Sequence, residues 1–429
     1  MGNDQSETPF VILIAPNVSE QMGGESIKAL QIYQSLAARG VKVHQITHSR
    51  VRDELARLHP EMPVSFVEED RVDGLLWRSK VLSGVTTPYF MKRAAQIAQR
   101  LVDEQDGAVV HYTSPVSPVL PLFPIRGARV VVGPLNGNIH HPPAFRARES
   151  LSERLRRALL SPSQLLHRTF FSGKQKADVL LVAGGERTYE SLRIAGCRPE
   201  QFRDSLDSGI LDKLRSEPLI AHEGANFRFV HNGRLVPHKG TDLAIKAVAR
   251  TVHPVELDII GRGPTLDGLK RLTEELKLGD RVHFVDWFKD HDEMHRAIRK
   301  YRGFVFPSLA EANGIVVQEA MMVGLPVICV DWGGPSLLVT PETGVAIPPS
   351  SEEAVINGLA EAMDRLGADG ELAARMARAG RQAAIDRGFS WADLIEHWIA
   401  IYREPNRATE GIKPKATADS PEPSPATSI

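Results

Sequence analysis

Two carboxylates eight residues apart, Glu311 and Glu319, bracket the stretch Glu311-Ala312-Asn313-Gly314-Ile315-Val316-Val317-Gln318-Glu319. The apolar run Gly303-Phe304-Val305-Phe306 ends at Pro307 just upstream and reads as a buried strand. Downstream, Ala320-Met321-Met322-Val323 continues a helix that Gly324 and Pro326 stop. Glu311 is therefore expected in a strand-to-helix loop and Glu319 about two turns into the helix. Eight helical residues would rotate the two acids roughly 80° apart, so the loop has to place the first acid independently. Asn313, Gly314 and Ile315 read as the first helical residues, whose amides lack intrahelical partners and form a site for an anion. A carboxylate beside a phosphate cradle suits a ligand with hydroxyls at one end and phosphates at the other, as in a nucleotide sugar. An acid on a helix dipole followed by a solvated helix face would give the same pattern, so the rest of the chain has to decide.

Two cations stand five residues apart in Asn232-Gly233-Arg234-Leu235-Val236-Pro237-His238-Lys239-Gly240, after the strand-like Phe227-Arg228-Phe229-Val230. Arg234 as a fork and Lys239 as a point charge suit a diphosphate; singly, each could be a surface cation. Near the N-terminus, Phe10 to Ala15 is a continuous apolar run, as in a parallel strand buried on both faces. Gly23 and Gly24 follow it and open a helical pattern that Gly40 caps. Glycines there let backbone approach a ligand where a Cβ would obstruct, although a tight turn needs them too. The loop Gly133-Pro134-Leu135-Asn136-Gly137-Asn138-Ile139-His140-His141 places an amide and two imidazoles after another strand. These groups can bond sugar hydroxyls and shuttle a proton, or simply face solvent.

These residues need a scaffold of parallel strands whose carboxyl ends share an edge. Strand-like runs at Val41–Ile46, Val109–Tyr112, 130–133 and Val179–Val182 alternate with helical stretches, and a second alternation begins at Phe227. It continues through 255–260, Val282–Val285, 303–306 and 326–330 to helices over 352–366, 371–384 and 391–402. Alternating strands and helices give doubly wound α/β sheets. We divide the chain into a first domain over 1–210, a second over 211–389, a last helix within 390–404 and a disordered tail over 405–429, which is rich in Pro, Ser, Thr and Ala. A length of 429 residues accommodates two such domains.

The apolar and charged fractions, 42% and 24%, are those of a soluble globular protein. No apolar run approaches the ~20 residues that span a bilayer. The polar N-terminus carries no signal peptide, and two distant cysteines, Cys197 and Cys329, form neither a disulfide framework nor a metal motif. A cytoplasmic protein is expected, with no nucleic-acid partner. The net charge of −1 hides an asymmetry: 28 Lys and Arg against 23 Asp and Glu through Arg215, then 24 against 30. Six Arg and two Lys over 146–176 face only Glu149 and Glu153, interleaved with Leu155, Leu159, Leu160, Leu165, Leu166, Phe170 and Phe171. This segment reads as a helix with one solvated and one core face, or as one lying on an anionic membrane surface from the cytoplasmic side.

The ordered set Asn232 to Gly240, Ile260-Gly261-Arg262-Gly263-Pro264, and Glu311 to Glu319 followed by Ala320-Met321 and Gly324-Leu325-Pro326-Val327 resembles the retaining glycosyltransferases of family GT4. The likeness runs over 227–348 and 12–47, and the motifs in order and spacing are specific where each alone is common. The resemblance implies a GT-B fold of two Rossmann-like domains facing across a cleft. It implies a hexosyltransferase-type enzyme (EC 2.4) that moves a sugar from a nucleotide-diphosphate sugar to a glycan or lipid-linked acceptor, as in cell-surface polysaccharide or glycolipid biosynthesis. It further implies a reaction with retention and no metal or other cofactor, consistent with the lack of an Asp-x-Asp pair in a suitable loop. Arg234 and Lys239 would neutralise the donor diphosphate and Glu319 would bind the ribose. Glu311 would hold the transferred sugar, the amides of Asn313, Gly314 and Ile315 would cradle the β-phosphate, and Gly23-Gly24 would close on it. The last helix would cross back to the first domain.

The chain departs from the family pattern at three places. Many relatives carry a His after the strand ending here in Val132, and Asn136, His140 or His141 would take its place; Asn136 and His140 are our candidates, with Glu311, for the catalytic set. An acid common in the helix after Gly333-Gly334 is here Leu337 or Leu338, and the usual Asn-Gly-Ile-Asp-like turn before the second domain reads Asp207-Ser208-Gly209-Ile210. The same scaffold could instead carry nucleotide-sugar 2-epimerisation or phosphorolysis, distinguished by product, or a non-catalytic nucleotide-sugar-binding subunit, which would have no need to keep Arg234, Lys239, Glu311 and Glu319 together.

Overall fold

The structure is a computed structural model that describes residues 9–72, 86–137, 139–288 and 291–404; the tail over 405–429 and Asn138 lie outside them. Two parallel sheets carry the chain. The first holds β1 (Val11–Ile14), β2 (Val43–His48), β3 (Val64–Val67), β4 (Val109–Tyr112), β5 (Arg129–Leu135), β6 (Val179–Val182) and β7 (Phe202–Asp204), in the order β3-β2-β1-β4-β5-β6-β7. The second holds β8 (Arg228–Asn232), β9 (Glu256–Ile260), β10 (Val282–Val285), β11 (Gly303–Phe306), β12 (Val327–Val330) and β13 (Gly344–Ile347), in the order β10-β9-β8-β11-β12-β13. The apolar runs are central strands for the expected reason: β1, β4, β6, β11 and β12 are buried along their whole length, with helices on both faces. The strand expected over Val41–Ile46 begins two residues later, because Val41 N–H turns back to the Leu36 carbonyl (3.2 Å) to close the preceding helix around left-handed Gly40.

The chain passes between the domains twice, and the two crossings touch. After β7 the segment leading to the second domain holds the short turn Asp212–Arg215. Ile210 N–H bonds to the Phe389 carbonyl (2.8 Å), and Trp391 N–H bonds back to Ile210 (3.1 Å). A side chain on Gly209 would stand 2.7 Å from the Trp391 backbone, so the close approach requires glycine. From there the helix Trp391–Arg403 lies on the first domain. Its Trp398, Ile395, Ile399 and Ile401 share a core with Val11, Leu13, Val131 and Leu181.

One polar device ties that helix to the sheet. His111 of β4 is fully buried, and burial pushes its pKa down to about 4, so it is neutral. Its Nε2 lies 2.8 Å from the Gly133 carbonyl, which can only accept, so Nδ1 accepts from the Tyr402 hydroxyl at 2.7 Å. Tyr402→Phe leaves that buried nitrogen without a donor. A loss of about 1–3 kcal/mol of stability is expected, measured by urea unfolding.

The first domain also reaches into the second. Phe145 packs in the second domain's core beside Leu243 and Leu269. Arg148 pairs with Asp242 (2.8 Å) and Glu352 (2.8 Å). The loop carrying the two imidazoles is thus anchored to both domains.

Candidate active site

In both sheets the strand order reverses at a point where neighbouring connections leave in opposite directions, between β1 and β4 and between β8 and β11. Ligands of doubly wound sheets bind in the crevice outside the carboxyl ends at that point. Lys239 and Glu311 follow β8 and β11, the two strands that flank the second switch point. His231 braces this junction. Its Nδ1 donates to the Val305 carbonyl of β11 (2.9 Å) and its Nε2 accepts from Thr241 Oγ1 (3.1 Å), while burial holds it neutral with a pKa of about 4. The turn Pro237–Lys239 ends in left-handed Gly240, where any Cβ would overlap the Pro307 carbonyl. That turn brings Lys239 Nζ onto Glu311 Oε2 and 5.0 Å above the Phe306 ring centroid. Both side chains are mostly buried. Arg234 is exposed and makes no ion pair among the described residues.

The helix after Glu311 spans Ile315–Val323, shorter at its start than the sequence suggests. Gly314 is its cap, in the left-handed conformation (φ 81°), and Asn313 precedes it. Glu319 is therefore the fifth helical residue, little more than one turn in. Of the three amides assigned to the phosphate cradle, only that of Ile315 is helical. Those of Val317 and Gln318 already bond to the Gly314 carbonyl (2.8 and 3.2 Å), so the open amides at the helix start are those of Ile315 and Val316. The Asn313 side chain accepts from Gln318 Nε2 (3.1 Å), which holds it against the first turn. Gly333 and Gly334 seat this loop: Gly334 N–H bonds to the Glu311 carbonyl (2.9 Å), and side chains at either glycine would collide with the backbone of Glu311 to Asn313.

Glu319 is only 7% exposed and makes no ion pair among the described residues. Burial pushes its carboxyl up to about 7. It lines a small cavity with Asn232, Phe304 and Val316, and Asn232 Oδ1 is buried without a hydrogen-bond partner. Asn232 is a site candidate our sequence reading left unassigned; its place at the last position of β8 is the signal that marks it.

On the first-domain side, Gly23 caps the helix Gly24–Ala37 at the carboxyl end of β1. Neither glycine has a positive φ, and a Cβ on either would meet nothing within 4 Å. Nothing within the chain requires glycine at either position. Asn136 is buried (4% exposed) with neither amide atom hydrogen-bonded, beside Gly184. His140 sits edge-on to Trp332 of the second domain (6.2 Å between centroids), and its carbonyl accepts from Trp332 Nε1 (2.7 Å). Trp332 joins the site unannounced in our sequence reading; a tryptophan just past β12 and before Gly333-Gly334 is the cue. Leu337, one of the two positions at which the resemblance implies an acid, packs across the domain boundary against Gly185. A cavity of about 640 Å³ lies on the hinge side, between Asn313, Gly334 and Leu337 of the second domain and Val182, Gly185 and Asp204 of the first. Neither Lys239 nor Glu311 lines it.

Two doubly wound domains thus carry the Lys239–Glu311 pair and a helix start at the switch point of the second sheet. The architecture is that of GT-B glycosyltransferases. The structure of WaaG, a glycosyltransferase involved in lipopolysaccharide biosynthesis, superposes with a TM-score of 0.60 over 92% of this chain and 100% of that one, at 18% identity. Anabaena HepE in complex with UDP and glucose gives 0.58 over 92% and 98%, also at 18%. Residues 217–383 match the family model "Glycosyl transferases group 1". The lipopolysaccharide core biosynthesis glycosyltransferase LpsD of Rhizobium meliloti is 33% identical over 176 residues, 41% of this chain and 49% of that protein. The GDP-mannose-dependent alpha-(1-6)-phosphatidylinositol monomannoside mannosyltransferase of Mycolicibacterium smegmatis is 31% identical over 180 residues, 38% of this chain and 46% of that protein. The matched part thus spans about half the length of these curated relatives.

Proposed function

We propose that the chain is a retaining glycosyltransferase that moves a hexosyl unit from a nucleotide-diphosphate sugar to a glycan or lipid-linked acceptor, without a metal. The observation that carries this reading is the Lys239–Glu311 pair at the second switch point, beside exposed Arg234 and the open amides of Ile315 and Val316. In the unliganded protein Lys239 is held by a carboxylate. A diphosphate offers it more negative charge, so donor binding exchanges one partner for the other and frees Glu311 for the hydroxyls of the sugar. Arg234 and the helix start share the remaining phosphate charge, and Glu319 beside Asn232 takes the ribose. In the transfer, the anomeric C–O bond to the β-phosphate breaks and the acceptor oxygen bonds to the same face. The acceptor's proton passes to the departing phosphate oxygen. The test is a panel of UDP-, GDP- and ADP-sugars scored for nucleotide release, with NMR of the product's anomeric configuration; a free epimer or a sugar phosphate as product would refute transfer. The metal-free claim predicts that calorimetric nucleotide affinity is unchanged by EDTA.

We further propose that the enzyme works at an anionic membrane surface through the helix Leu151–Phe170. The arrangement is the opposite of a buried core face. Leu151, Leu155, Leu159, Leu165, Leu166 and Phe170 are between 54 and 82% exposed, and at helical spacing they fall on one side, flanked by the exposed Arg154 and Arg156. No described helix is long and apolar enough to cross a membrane. Flotation with phosphatidylglycerol liposomes should recover the protein at low salt, less at high salt, and less still for Leu155→Glu. Failure to float at low salt would return the stripe to another role.

A further inference from the structure

The segment from His140 to Arg148 belongs to the first domain by its place after β5, and to the second by its contacts. Phe145 is 2% exposed and sits in the second domain's core. Arg148 pairs with Asp242 and Glu352, both at 2.8 Å, and Lys246 also binds Glu352 (2.7 Å). At the other end the His140 carbonyl accepts from Trp332 Nε1 (2.7 Å). Trp332 itself packs against the second domain's core. The first domain meets its indole a second time through Arg187, whose guanidinium carbon stands 5.8 Å from the ring centroid. The segment is a strap fastened to the second domain at both ends and in the middle.

Each end of the strap lies beside one loop of the donor site. Asp242 is the second residue of the helix Thr241–Val248, which begins just after Lys239 and left-handed Gly240. Trp332 precedes Gly333 and Gly334, the glycines that seat Glu311 to Asn313, with Gly334 N–H bonded to the Glu311 carbonyl (2.9 Å). The two loops are tied to each other as well: Leu309 N–H and Ser308 Oγ both donate to the His238 carbonyl, at 2.8 and 3.3 Å. A nucleotide sugar that draws Lys239 off Glu311 therefore acts on two side chains whose backbones are already braced. The freed carboxylate can turn to the sugar while its loop stays in place, and a group held in advance of the reaction stabilises the transition state most. In the bond between Trp332 and His140, the second domain supplies the donor and the first domain the acceptor. It joins the seat of Glu311 directly to the strap.

We propose that Trp332 is a positioning residue, which holds the Glu311 loop in place by hydrogen-bonding the strap. Its part in catalysis rests on the transferase reading above; its hold on the loop does not. Trp332→Phe keeps an aromatic ring and removes the donor. Arg148→Met keeps an apolar stem and frees the far end of the strap. The first measurement is hydrogen exchange on the full chain. Amides over 309–318 and that of Gly334 should exchange about ten-fold faster in each variant, as expected when one local bond is lost, with β9 unchanged. The second is kinetic. Trp332→Phe should lower kcat about ten-fold and leave the dissociation constant of free nucleotide within two-fold. In a Glu311→Gln background the same change should cost less than two-fold, because the group it positions is gone. Unaltered exchange over 309–318 and at Gly334 in both variants would overturn the proposal, and so would an equal loss of kcat in both backgrounds. Faster exchange in a protein that consumes no nucleotide sugar would keep the hold of Trp332 on the loop and remove the transferase reading, so the two failures are separable.

Discussion

Glu311→Gln should lower kcat by about 10²–10³-fold and leave the binding of free nucleotide intact or slightly tighter. The rate loss follows from where charge develops. As the anomeric carbon parts from the phosphate it becomes cationic, and a preorganised carboxylate aimed at the sugar stabilises that state more than the ground state; removing one such group typically costs this much. The binding half of the prediction follows from the ion pair. In the free enzyme Lys239 must leave Glu311 before it can meet a phosphate, and the neutral amide of Gln holds it less tightly. A nucleotide without the sugar gains from that release and loses nothing, because it has no sugar hydroxyls for Glu311 to bind. The measurement pairs initial rates with two titrations, nucleotide alone and intact donor. If the Gln variant loses free-nucleotide affinity as severely as it loses turnover, Glu311 belongs to the diphosphate site and not to the sugar.

The sheets were legible where the sequence obeys strong local rules. β4, β6, β10 and β11 are short runs of apolar, mostly β-branched or aromatic residues with clear stops, and the late helices announce themselves by their caps. Ser351, Asp369 and Ser390 each accept a hydrogen bond from an amide three residues on, before helices that start where the periodicity says. The edge strands β3, β7 and β13 escaped, since Val64–Val67, Phe202–Asp204 and Gly344–Ile347 are only three or four residues long and partly exposed. Within the site, residue types were readable but conformations were not. Gly314 reads as a helical residue by position, yet its left-handed backbone delays the helix and moves the open amides one step on. The orientation of the Leu151 helix was also beyond reach: its periodicity defines an apolar face but not which way that face points, and here it points to solvent. Contacts between domains, such as Trp332 on His140 or Phe145 in the second core, join residues far apart in sequence, and periodicity has no access to them.

Glu319→Gln should make the protein more stable at pH 8 and nearly indifferent at pH 4, with nucleotide affinity showing the complementary dependence. Burial raises the Glu319 carboxyl from 4.5 to about 7 in the folded protein. The folded state therefore holds a proton that the unfolded state gives up. Stability tied to that proton is fully present below pH 4.5 and declines as pH rises towards 7, by about 3 kcal/mol in total. Gln is neutral throughout, so its advantage over the wild type opens across that window and is level above it. Thermal melts of both proteins from pH 4 to 8 give the difference directly; a constant offset would show that Glu319 keeps an ordinary pKa. Nucleotide binding runs the other way. Ribose hydroxyls donate to a carboxylate, so binding selects the ionised form and must expel the proton when it is present. Wild-type affinity should fall about ten-fold between pH 8 and pH 6 through this group alone. The phosphate of the nucleotide titrates in the same range, but it does so equally for both proteins and cancels in the ratio of wild-type to variant dissociation constants. That ratio should be largest at pH 8, where the Gln variant lacks about 1–3 kcal/mol of charge-assisted hydrogen bonding, and should shrink towards one as the wild-type acid becomes protonated. A ratio independent of pH would place the ribose elsewhere and leave Glu319 as a buried acid without a ligand.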